Sequence, residues 1–173
     1  GKVTTVFIAD TSLDFVELDL TDTLVADRII YHGQQISFLH TNNILHINLP
    51  HTIPEGIADS VSVYYQGAPD SSGFGSFTCS KHDSIPIIWT LSEPYGARDW
   101  WPCKQDLSDK IDSIDLFITT PSVYKAASNG LLVEETTAGG NTTYHWKHRY
   151  PIATYLVCMA VTNYQVFTDL VQI

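Results

Sequence analysis

An all-β fold, an antiparallel sandwich or a related stack of layered sheets, is what this 173-residue sequence predicts. Three observations predict it. Apolar residues alternate with polar ones at period two almost throughout, as they do along strands that bury one face. The breaks between these stretches carry Gly, Asn and Pro at positions suited to hairpins. Helical spacing never persists, and no repeat of a few tens of residues emerges, which sets aside solenoids and propellers.

The chain opens directly in a strand-like pattern, GKVTTVFIAD (1–10). DFVELDL (14–20), VADRIIY (25–31), ISFLH (36–40), ILHINL (44–49) and SVSVYYQG (60–67) then read as strands. His32-Gly33 and Asn42-Asn43 close hairpins, PHTIPEG (50–56) is a longer connection, and GAPDSSGFGS (67–76) is a loop rich in Gly, Ser and Pro. PIIWTL (86–91), IDSIDLFITT (111–120), KAASNGLLVEE (125–135), TTYHWKH (142–148), ATYLVCMAV (153–161) and YQVF (164–167) complete the strand set, with TAGGN (137–141) as a hairpin tip. Within it YLVCMAV (155–161) is apolar on both faces, so a central strand covered from both sides is expected there.

Apolar residues make up 44% and charged residues 16%, the balance of an ordinary globular protein, and the length fits one domain over residues 1–173. The net charge of −10, with nine Lys and Arg in all, argues against nucleic acid as a partner, because neutralising phosphates needs a basic surface. No apolar run of 18 residues is present to form a membrane helix, and the first residues lack the charged and apolar regions of a signal peptide. Both ends stop within strand-like patterns, so both are expected to be cuts from a longer chain. Cys79, Cys103 and Cys158 are an odd number without CxxC spacing and are expected to be buried free thiols. The triplet Asn141-Thr142-Thr143 is a glycosylation sequon, which has meaning only in a eukaryotic secreted protein.

Chemistry-bearing residues are few. His145 and His148 would point to opposite faces of a strand, and His40 and His46, across a hairpin, lack a third ligand. No HExxH, GxSxG or phosphate-loop pattern occurs, and GFGS (73–76) reads as loop. Asp99, Asp106, Asp109 and Asp112, beside Lys104 and Lys110, read as a solvated connection. Glu93 differs: it follows the PIIWTL strand and precedes a proline, so its carboxylate sits at a strand end beside a loop, where sites tend to be built. Trp100 and Trp101 are adjacent, so in an extended segment one faces in and one out.

SEPYGARDWWPC (92–103), followed by Lys110, resembles the signature near the end of the N-terminal domain of zinc aminopeptidases of the aminopeptidase N and leukotriene hydrolase type. Glu93, Arg98, Pro102, Cys103 and Lys110 fall at matching positions. LDLTDTLVADRIIYHGQ, NNILHINLP, YYQG, SNGLL and PIATYLVCMAV resemble further family segments in the same order, so the resemblance covers nearly the whole chain. Leu91 stands where the family often has a pocket-lining Gln, His32-Gly33 replaces Asn-Gly, and Gln105-Asp106-Leu107 shifts an Asp and lacks a Pro.

The resemblance implies a saddle-like β domain, non-catalytic in itself, at the N-terminus of a larger zinc metallopeptidase that removes N-terminal residues from peptides. It implies that the HExxH zinc site lies in a catalytic domain outside this chain. No metal is then expected in residues 1–173, and the fragment alone should be inactive. Its partners would be that catalytic domain and the peptide N-terminus, whose α-amino group Glu93 would hold as the substrate-binding residue. Arg98, paired with Asp106 or Asp109, and Cys103, a small buried hydrophobe, would be structural, and Trp100 or Trp101 could pack against the catalytic domain. Two other classes stay open: a carbohydrate-binding or adhesion sandwich, and a scaffold domain of a homologue that has lost its zinc ligands.

Overall fold

The computed structural model describes residues 1–69 and 76–170, so most of the loop expected at 67–76 lies outside the described residues. Two compact units are present. Unit 1 comprises residues 1–77, 91–110 and 153–156; unit 2 comprises 78–90, 111–152 and the chain from 157 on. Among the described residues there is no α-helix, only 3-10 turns at Ala97–Asp99 and Thr154–Leu156.

Unit 1 is a sandwich of two sheets. One has the order β1 (Lys2–Ile8), β7 (Ala58–Gly67), β3 (Leu24–Tyr31), β4 (Gln34–Ile36), and the other β2 (Leu13–Asp19), β6 (Ile44–Ile53), β5 (Phe38–Thr41). The pairings are antiparallel. Alternation supplies the core: Leu18, Leu45 and Ile47 from one sheet meet Ile29, Tyr31 and Val63 from the other. The hairpin residues His32 and Gly33 (φ 46° and 82°) and Asn42 and Asn43 (55° and 61°) have the paired positive φ angles that the tightest antiparallel turns require.

Two expectations in unit 1 need correction. The strand expected at 36–40 breaks at Ser37, where the chain passes from one sheet to the other. Ile36 and Phe38 both face the core across this corner, and the Ser37 carbonyl accepts the Asn48 amide at 3.1 Å. Period two alone cannot show such a change of sheet. The connection expected at 50–56 is largely strand: β6 runs on to Ile53, which pairs with Leu13 across a bulge, and the turn forms at Gly56 (φ 78°).

Unit 2 has two sheets, β10 (Ile114–Pro121), β13 (Asn141–His148), β12 (Leu131–Ala138) and β11 (Lys125–Ser128), β14 (Met159–Thr162), β9 (Ile85–Thr90), β8 (Phe77–His82). Ala126, Tyr144 and Val161 form its core, with Ile88, Ile118, Tyr124 and Trp146 against them. The strand expected at 125–135 is two strands in different sheets, parted at Asn129-Gly130. Gly130 has φ 87°, and a Cβ there would lie 2.0 Å from the Lys147 carbonyl oxygen, so only glycine fits.

The strand expected at 153–161 is also shorter. Ser128 Oγ donates to the Cys158 carbonyl (2.6 Å) and the Cys158 amide donates to Asn129 Oδ1 (2.7 Å), so both backbone groups are taken before β14 starts. β14 is an inner strand, between β11 and β9. Residues 164–167 are not a strand: Val166 and Phe167 are 71% and 84% exposed, their alternation meeting no sheet. β8 was not anticipated, because TCSKH (78–82) lacks apolar alternation. Of the cysteines, Cys103 is buried and Cys158 half-buried, whereas Cys79 is exposed; all three are free thiols.

Candidate functional site

The segment after β9 is a closed turn built on Ser92. Ser92 is 2% exposed; its carbonyl accepts the Gly96 amide at 2.8 Å, and its hydroxyl accepts the Trp100 indole N–H at 2.9 Å. Residues 93–96 are thus looped outward over a fixed base, with Glu93 joined to Pro94 by a cis peptide bond. Glu93 lies on the exposed side, and its carboxylate has no hydrogen bond or ion pair among the described residues. Leu91 and Tyr95, 40% and 57% exposed, flank it in the chain.

The base of the turn is crowded. A Cβ on Gly96 would fall 1.8 Å from Ser76 Oγ, which donates to Asp99 Oδ2 at 2.7 Å. The 3-10 turn at Ala97–Asp99 follows, with Trp101 N–H on the Ala97 carbonyl at 3.2 Å. That turn corrects the expectation for the tryptophans. Trp100 and Trp101 are 9% and 7% exposed, because the helical step carries both indoles into unit 1, where an extended chain would have turned one out. The Trp101 indole N–H has no acceptor among the described residues.

Arg98 does not pair with Asp106 or Asp109. Asp109 is held by Lys104, and Asp106 accepts the Ser108 amide and hydroxyl. The backbone of Arg98 is what is fixed: its carbonyl accepts the Thr21 amide (3.0 Å) and its amide donates to Gln105 Oε1 (3.3 Å). Cys103 exchanges two backbone hydrogen bonds with Asp19, and burial, reinforced by the Asp19 carboxylate, pushes its thiol far above the usual range. It is an inert packed group, as its sequence context suggested.

The histidines do not assemble. His46 sits opposite Leu39 and bonds Glu17 (3.0 Å), whereas His40, one position on, bonds the Leu20 carbonyl (3.0 Å) on the other face. His145 bonds Asp115 at 2.6 Å. Among the described residues no three His, Cys, Asp or Glu side chains converge as a metal site, so the donors here do not fit the zinc that the resemblance implies for the whole protein. Ser92, the anchor of the turn, was not singled out from sequence; its place next to Glu93 was the available signal.

Residues 2–156 match the model of the peptidase M1 N-terminal domain. The chain belongs to that family. Among solved structures it is similar to an M1 zinc metallopeptidase from Deinococcus radiodurans, with 26% identity and a TM-score of 0.83 over 93% of this chain and 37% of the other. A mutant of that peptidase bound to a Tyr-Ser-Ala substrate gives 25% identity and 0.82, with the same coverage. A mutant of a two-domain M1 zinc metallopeptidase bound to L-arginine gives 26% and 0.83, again over 93% and 37%. No curated protein matched. The chain thus spans little more than a third of the length of the M1 peptidases it matches, and its all-β architecture is that of their corresponding region.

Proposed function

We propose that residues 1–173 are the N-terminal β domain of a zinc-dependent aminopeptidase, and that Glu93 holds the free α-amino group of the peptide substrate. The carrying observation is an outward carboxylate, unpaired among the described residues, on a turn whose base is packed, in a chain of the M1 N-terminal family. A carboxylate that no described residue engages is available to take an ammonium ion. The anchored Ser92 keeps it in place, so little conformational freedom is lost on binding.

In a cleft closed by the rest of the peptidase, the pairing would select free N-termini and set the first peptide bond in position. Zinc would polarise the scissile carbonyl from residues outside this chain, which supplies recognition and would cleave nothing alone. In the whole enzyme, Glu93→Gln should lower kcat/KM for a free-amine substrate by about 30- to 160-fold, the equivalent of about 2–3 kcal/mol, with zinc content unchanged. Unaltered kinetics would remove Glu93 from the site. A whole chain without an HExxH sequence would remove the enzyme reading and favour a scaffold domain.

A further inference from the structure

We propose that Asn141 is an acceptor for an N-linked glycan, whose first sugars lie along the outer face of the β10-β13-β12 sheet toward Phe117. Residues 141–143 are the sole Asn-X-Ser/Thr triplet of the sequence, with Thr and not Pro in the middle. A sequon is useful only if the folded chain leaves room for a bulky polar group, and the structure does so. Asn141 is exposed at the first position of β13, directly after the Gly139-Gly140 turn, and its amide has no side-chain hydrogen bond among the described residues. The middle Thr142 turns inward and is buried, bonded to Ser122 and Thr137.

Alternation places Asn141, Thr143 and His145 on one face, and register brings Thr119 and Phe117 beside the last two from β10, and Thr136 and Glu134 from β12. Between the small apolar pair Pro121 and Ala138, which lie opposite Asn141, and Leu131, opposite Lys147, this face is polar except for one ring. Phe117 is 64% exposed and is held flat by stacking on His145 at 4.0 Å, which Asp115 fixes in turn. Phe117, His145, Glu134, Thr136 and Thr143 line a shallow depression of about 300 Å³. Along β13, Asn141 stands two residues, about 7 Å, from Thr143 at the near edge of this depression and four residues, about 13 Å, from His145. Hydroxyls, a carboxylate and an exposed ring suit a sugar chain, which offers hydrogen bonds from its edges and C–H groups from its faces.

In the modification, the Asn141 amide nitrogen displaces a polyprenyl diphosphate from the anomeric carbon of its oligosaccharide donor. The C–N bond forms, the sugar–phosphate C–O bond breaks, and the amide proton leaves with the diphosphate. The test passes the whole chain through a eukaryotic secretory pathway behind a cleavable leader and reads intact mass before and after peptide-N-glycosidase treatment. The expected result is one glycan, released with conversion of Asn141 to aspartate, lost in Asn141→Gln and Thr143→Ala and kept in Thr143→Ser. The mass of the bare polypeptide, or a glycan that survives Asn141→Gln, would overturn the proposal. Nuclear Overhauser contacts between an N-acetyl methyl and the Phe117 ring are expected in the glycoprotein; their absence would overturn the course given to the glycan.

Discussion

Ser92 and Trp100 decide where the outward turn at Glu93 sits, and the two adjacent tryptophans offer a built-in control. Both indoles are buried, but among the described residues only Trp100 has an acceptor, the Ser92 hydroxyl. Replacing either by Phe leaves a similar void, so the difference between the two variants isolates the hydrogen bond. Trp100→Phe is expected to be the more destabilising by about 1 kcal/mol, read from urea unfolding. Gly96 gives a second test. Gly96→Ala drives a methyl onto Ser76 Oγ and should break its bond to Asp99, costing about 1–3 kcal/mol. Ser76→Gly removes both the clash and the bond, so Gly96→Ala should cost little more when added to Ser76→Gly.

At the scale of elements, corners between sheets matter more than the strands themselves. The Asn129-Gly130 corner ends β11, starts β12 and fixes Cys158 at the entry to β14. Gly130→Ala is expected to cost about 2–3 kcal/mol, since the new Cβ would meet backbone and the residue has positive φ. Gly139→Ala, at φ 57° with open space around it, should cost only about 1–2 kcal/mol. Both would be measured by thermal or urea unfolding. The contrast also shows what a sequence can tell. Hairpins such as His32-Gly33 and Gly139-Gly140 were legible because their chemistry is local. The change of sheet at Ser37 and the brevity of β14 were not, because each depends on contacts with residues farther along the chain, and the inward turn of Trp100 and Trp101 was not, because period two does not reveal a single 3-10 step. The prominence of Glu93 was legible; its support, Ser92 against Trp100, was not.

For the whole molecule, the acid limb of stability should be steep. Burial opposes ionisation of Asp59, but hydrogen bonds from Tyr31, the Ser60 amide and His32 outweigh it and hold its carboxyl below the usual range. Asp115 is likewise lowered: burial opposes ionisation, and His145, Arg149 and Lys147 outweigh it. A carboxyl with a depressed folded pKa stabilises the fold above its unfolded pKa, near 4, and loses that contribution as pH falls through the folded value. The melting temperature is therefore expected to drop as pH falls below about 4. Asp59→Asn and Asp115→Asn should each flatten that slope. An unchanged slope in both would place the acid response elsewhere among the chain's 19 acidic residues.

The uneven fate of the three thiols turns the fold into its own reporter. Cys79 lies open on β8, whereas Cys103 is buried and Cys158 half-buried, and burial raises both thiols and so slows their reaction. A maleimide should therefore tag the native chain once, at Cys79, and the denatured chain at all three sulfurs. Counting adducts by mass over time would then time the opening of each unit separately, since Cys103 belongs to unit 1 and Cys158 to unit 2.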